Sequence, residues 1–233
     1  MQGTAKWARL VVWATFVVVM CIGCSPLQTL AFIFHRDEPV PAQYPLRPKT
    51  GAKHDKDKEL VVLVLVDQSS SRPELVGASR ELALAISRRL PEEAKLNKEK
   101  ITTIATSQFD KFKSHNLNWK TMHPTAIGKK LGADVVMDIH LANMSLYQPG
   151  SGNNVYEGTA EVTVDVYDVS VGEAEPMWHY IYPHRYPKTG MISAIEADQS
   201  PSRFRMQFLN KLAIDLIREH IDHKVAVGIA SDD

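Results

Sequence analysis

Asp67, Ser69 and Ser71 stand at alternate positions directly after an unbroken apolar run, Leu60 to Val66. One carboxylate and two hydroxyls at that spacing are hard oxygen donors of the kind Mg²⁺ takes. The carboxyl end of a buried strand is also where α/β sheets open a ligand crevice. The same residues equally make a Ser-rich turn, in which Asp67 or Ser71 caps backbone amides of a following helix. Both readings stand. His220 and His223, with Glu219 or Asp222, have a helical spacing that permits a shared metal. Histidines at a helix C-terminus also complement the helix dipole. His179 and His184 flank Tyr180 and Tyr182, within an aromatic group that includes Trp178 and Tyr186. That group suits either packing beneath a helix or a recognition surface, and Trp178, Tyr180 and Tyr182 are the candidate partner interface. Gly-x-Ser-x-Gly, a phosphate-binding loop, His-Glu-x-x-His and a cysteine nucleophile are all missing beyond the leader. The chain is therefore expected not to be an enzyme and to use no cofactor.

The Asp67-x-Ser69-x-Ser71 spacing resembles the metal-ion-dependent adhesion site of von Willebrand A-type domains. That resemblance implies a Mg²⁺-dependent ligand-binding or adhesion module. Such a fold also draws a Thr and an Asp from later parallel strand–helix units, where this chain offers an antiparallel meander.

The N-terminus decides the compartment. Lys6 and Arg9 give a positive start, Leu10 to Ile22 is apolar and uncharged, and Gly23, Cys24 and Ser25 follow. This is the order of a secretory signal. Cys21-Ile22-Gly23-Cys24 resembles the lipobox of bacterial lipoproteins, with Cys21 where that family prefers Leu. The resemblance implies Cys24 as the lipidation site. Two or three acyl chains anchor stably, at about 0.8 kcal/mol per buried methylene. Alternatives are an uncleaved membrane helix, since no charged residue occurs from Leu10 to Phe34, and a plain cleaved signal. Each of the three carries the rest of the chain to the non-cytoplasmic side.

The two cysteines, Cys21 and Cys24, both lie in this leader. The remainder therefore has no disulfide and no cysteine zinc site available. With 27 basic and 27 acidic side chains, the chain lacks the basic excess of a nucleic-acid binder. The organisation expected is a leader or anchor over 1–24 and a spacer over 25–58, apolar first and then Pro-rich with Pro39, Pro41, Pro45 and Pro48. One α/β domain follows over 59–224, then a loose tail over 225–233. The domain's length, roughly 170 residues, is enough for a core without staples.

Within the domain, Leu60 to Val66 reads as a strand buried on both faces. A helix opens at Pro73, with Leu75, Ala78, Leu82, Ala85, Ile86 and Leu90 on its face, and Pro91 ends it. Ile101 to Ala105 is a short strand, and residues 109–120 form a polar stretch anchored by Trp119. Pro124 opens a second helix capped by Gly132. Ala133 to Leu146, Gly158 to Val169 and Met177 to Tyr182 alternate as the three strands of a meander. A loop from Pro183 to Pro201 leads to a C-terminal amphipathic helix with Phe204, Phe208, Leu212 and Leu216 in line. The fold class is α/β (α+β): one mixed sheet with helices packed against it.

Ile127-Gly128-Lys129-Lys130-Leu131-Gly132-Ala133-Asp134-Val135-Val136 resembles the helix-to-strand junction of the TolB N-terminal-like domains, a group that includes the curli-secretion lipoprotein. Val166-Tyr167-Asp168-Val169-Ser170-Val171-Gly172-Glu173, with Trp178 beyond it, resembles their next strand and turn. The resemblance spans most of residues 60–222. It implies a non-catalytic envelope lipoprotein that works by contact, as an accessory or scaffold subunit of an envelope assembly or export system. A protein partner in the envelope and an oligomer fit it; a pore does not, since the long amphipathic insert is missing.

Overall fold

The computed structural model describes residues 39–47, 58–68, 75–187 and 199–224. Val40–His223 form one compact unit. Its sheet has five strands: β1 Leu60–Gln68, β2 Ile101–Thr103, β3 Val135–Tyr147, β4 Tyr156–Asp168 and β5 Trp178–Tyr186. Their spatial order is β2-β1-β3-β4-β5. β1 runs parallel to both β2 and β3, and β3, β4 and β5 are antiparallel. The helices are α1 Ala78–Leu96, α2 Thr106–His115, α3 Pro124–Leu131 and α4 Pro201–His220. The mixed sheet, the meander and the C-terminal helix are as the residue pattern predicts.

Alternation sorts the side chains. Leu60, Val62 and Val64 of β1, Val135, Met137, Ile139 and Leu141 of β3, and Ala160, Val162, Val164 and Val166 of β4 share one core with α1 and α4. The opposite face of β1 buries Leu63 and Leu65 with Val136 and Ile127, in a second core against α3. β1 is thus covered on both faces, which is why its sequence is apolar without alternation. In β3 the register shifts after Ala142, where Asn143 takes φ 48°. The extra residue reverses the parity, so Met144 and Leu146 face the same core as Leu141.

Two glycines permit close approach. A Cβ on Gly158 of β4 would stand 2.2 Å from the Phe208 ring of α4, and one on Gly128 of α3 would stand 2.5 Å from Val136. The junction after α3 is fixed by Gly132 at φ 76°. Asp134 then accepts the Val61 amide on Oδ2 at 2.9 Å.

Four sequence expectations give way. α1 runs through Pro91 to Leu96 instead of ending there. Proline removes the donor for the Ser87 carbonyl, and the Thr103 hydroxyl of β2 donates to that carbonyl at 2.7 Å. The polar stretch 109–120 falls largely on α2 and on a short 3-10 turn, Trp119–Thr121. Phe109, Phe112 and Trp119 pack on the second core. β5 continues through Pro183 to Tyr186, because an edge strand has no partner on one side to miss that N–H. Finally, Val40–Arg47 is not spacer. Leu46 is 1% exposed and Tyr44 packs on the main core.

Candidate functional site

β3, β4 and β5 carry the open half of the sheet, the part not covered by α2 and α3. Their outward residues line up across the strands by register. One row is Asp138, Asp165 and His179, with buried Leu65 of β1 beside it; the next is His140, Thr163 and Ile181, with Asp67 of β1 beside it. Three carboxyls and two imidazoles therefore share one face, with exposed Ile181 among them. His179 Nδ1–H donates to Asp165 Oδ1 at 2.6 Å. His140 Nδ1 lies 3.8 Å from Asp67 Oδ2. Farther along, the Arg185 guanidinium pairs with buried Glu157.

Asp138 sits at the centre of this face. Burial, then the negative charges of Asp165 and Asp67, push its carboxyl up to about 6, with His140 and His123 opposing. His123 is held by its own cap: the Thr125 hydroxyl and amide both point at its Nδ1, at 2.8 and 3.4 Å. Its ring meets Tyr167 edge-on at 5.2 Å. The phenol of Tyr167 is raised by burial and then by Asp165 and Asp138. Such a face attracts cationic groups, and Asp138 holds or releases a proton near neutrality.

The predicted site residues scatter. Asp67 lies at the end of β1, its side chain 71% exposed. Ser69, Ser71 and Cys24 lie outside the described residues, so the magnesium turn and the lipidation site have no geometry here. Among the described residues, no group of three or more His, Cys, Asp or Glu side chains is arranged to hold a metal ion.

Tyr180 is not part of an open interface. It is buried on the inner face of β5, where Tyr44 stacks on it at 4.1 Å and 5°. Trp178 and Tyr182 share that face half-buried, and Trp178 Nε1–H donates to the Pro45 carbonyl at 2.9 Å. Alternation on an edge strand puts Trp178, Tyr180 and Tyr182 under the helix side and leaves His179 and Ile181 outward.

The His220–His223 metal reading also fails at His220. This side chain is fully enclosed, with Nδ1–H donating to the Tyr44 carbonyl at 2.6 Å and Nε2 accepting from the Tyr180 hydroxyl at 2.8 Å. Both ring nitrogens are used, and burial pushes the imidazole down to about 4. His184 is buried on the same inner face, its Nδ1 3.4 Å from Asp215.

Asp138 and His140 do not stand out in the sequence, because the apolar positions dominate the pattern of β3. Their polar parity in Met137-Asp138-Ile139-His140 is the visible signal. That they meet Asp67, Asp165 and His179 follows only from strand register.

No family model and no curated protein matches the chain. Solved structures similar to it include a hypothetical protein, CT253, from Chlamydia trachomatis, at 16% identity and TM-score 0.42, covering 70% of this chain and 98% of that one. Lipoprotein GNA1162 from Neisseria meningitidis has 16% identity and TM-score 0.39, covering 68% and 97%. The PelC dodecamer from Paraburkholderia phytofirmans has 11% identity and TM-score 0.39, covering 68% and 86%. Likeness at this level carries no argument about what this chain binds or does.

Proposed function

We propose that this chain is a non-catalytic accessory or scaffold subunit of a cell envelope, tethered to a membrane by its leader and working by docking. The observation that carries the docking half is the outward face of β3–β5. Carboxyls, imidazoles and exposed Ile181 lie together there beside an edge strand. A basic segment of a partner protein, with an apolar side chain to set against Ile181, is the ligand that suits it. The leader supplies the tether: a positive start, an apolar run and Gly23-Cys24.

Tethering lets a weak contact suffice, because confinement to a membrane raises the effective concentration.

The test is site-specific photocrosslinking in intact envelopes. A photoreactive residue at Thr163 or Ile181 should capture a discrete protein. One at Leu117, which is 93% exposed in the turn after α2, should not. Equal capture at all three positions, or none at Thr163 and Ile181, would reject the docking face.

A further inference from the structure

The segment Ala42–Leu46 is held as peptide ligands are held. The Tyr44 amide donates to the Glu219 carbonyl at 2.8 Å and the Leu46 amide to the His220 carbonyl at 3.4 Å. Those acceptors belong to the last turn of α4, where carbonyls have no donor within the helix. In the other direction, the Tyr44 carbonyl accepts from His220 Nδ1–H and the Pro45 carbonyl from Trp178 Nε1–H. The Ala42 amide donates to Asp222 Oδ1 at 3.1 Å. Tyr44 stacks on Tyr180, and Leu46 is fully enclosed. Backbone groups satisfied by main-chain carbonyls and by side-chain donors, with pockets for Tyr44 and Leu46, are how a bound peptide is held. Pro41 and Pro45 hold the residues before them in extended backbone, which lowers the entropy lost on binding.

We propose that this groove, bounded by β5 and the end of α4, is a peptide-binding site that takes the Ala42–Leu46 segment of a second copy of this chain in exchange for its own. An emptied groove would present Trp178, Tyr180 and a buried imidazole to water, so release without replacement is disfavoured. A matching segment is carried by every copy. Residues 48–57, with Pro48 and Gly51, join the segment to β1, and ten residues of chain reach at most about 35 Å. The inference does not depend on the outward face of β3–β5.

Full-length light and isotope-heavy copies are mixed in detergent, each with a photoreactive residue at exposed Gln43. Crosslinks from light Gln43 to the heavy Glu219–Asp222 region are expected. Crosslinks confined to copies of like label would overturn the second copy as the occupant.

The groove itself is read separately. In full-length Y44A/L46A, a fluorescent peptide of residues 40–47 should bind saturably, at least tenfold more tightly than to wild type, where the resident segment competes. Adding Trp178→Phe should weaken it roughly fivefold, the worth of one hydrogen bond. Absence of peptide binding, or an emptied chain that stays unfolded with the peptide in excess, would overturn the groove. Leu46→Ala alone, which leaves Tyr44 in place, reads the same binding with less loss of packing.

Discussion

Asp138, half-buried beside two other carboxylates, and His220, fully enclosed, both resist ionising, and they act on stability in opposite directions. Asp138 rises to about 6 from 3.8, so the folded state holds its proton more tightly than the unfolded chain. Its stabilising effect is complete below about pH 3.8 and is lost as pH rises through 6. His220 falls to about 4 from 6.5. Its effect is complete above pH 6.5 and is lost as pH falls through 4. Between pH 4 and 6 the two largely offset in the native chain. Asp138→Asn should therefore be more stable than wild type at pH 7, by on the order of 2 kcal/mol, with the gain gone by pH 4. His220→Gln should be less stable at pH 7, and its deficit should shrink on acidification. Urea midpoints at pH 7, 5.5 and 4 check both; a difference from wild type that is flat with pH would refute the assignment. A third residue-scale expectation concerns volume. Gly158→Ala pushes a methyl into the Phe208 ring, and overpacking of a tight core costs about 1–3 kcal/mol. A lower melting temperature with unchanged far-UV circular dichroism is the expected result.

At the scale of elements, α1 shows how a proline is accommodated. The Ser87 carbonyl loses its helical donor to Pro91 and takes the Thr103 hydroxyl instead. Thr103→Val should cost about 1 kcal/mol in the native chain. In a Pro91→Ala background, where the helix supplies its own amide, most of that cost should vanish. A double-mutant cycle on urea midpoints measures the coupling, and additive effects would count against it. The same proline explains why the sequence misleads here: a helix breaker read locally cannot reveal a donor arriving from β2. β1, the meander and α4 were legible because one-sided or two-sided burial imposes period 2, an unbroken apolar run or a stripe every three to four residues. α2 was not, since Phe109 and Phe112 are its apolar face and its N-cap, Ala105, offers no side-chain acceptor. Val40–Arg47 was hidden by its prolines. They do exclude helix, but an extended segment packs as well as a helix does when donors such as His220 and Trp178 face it. The acidic rows of the outward face were visible as polar parity on each strand, and their assembly waits on register.

For the whole molecule, the leader and the folded unit answer separate questions. Among the described residues no helix is long and apolar enough to cross a membrane, and the proposed attachment is through the leader. Cys24→Ala should release the chain from sedimented membranes and abolish labelling by a fatty-acid analogue. Retention of the variant with wild-type yield would instead favour the uncleaved apolar run. Main-core burial and the Arg205–Glu81 fork between α4 and α1, at 2.6 and 3.0 Å, tie the last helix to the first. Pro183 has a consequence at this scale. It stands within the rim strand β5, opposite Glu161, and offers no amide hydrogen to an incoming chain. Copies at high local concentration can therefore zip together along that rim for only a few residues on either side of it. Unbroken ribbons running from molecule to molecule are blocked at this imide, and dense populations should stay as discrete particles instead of growing into fibres.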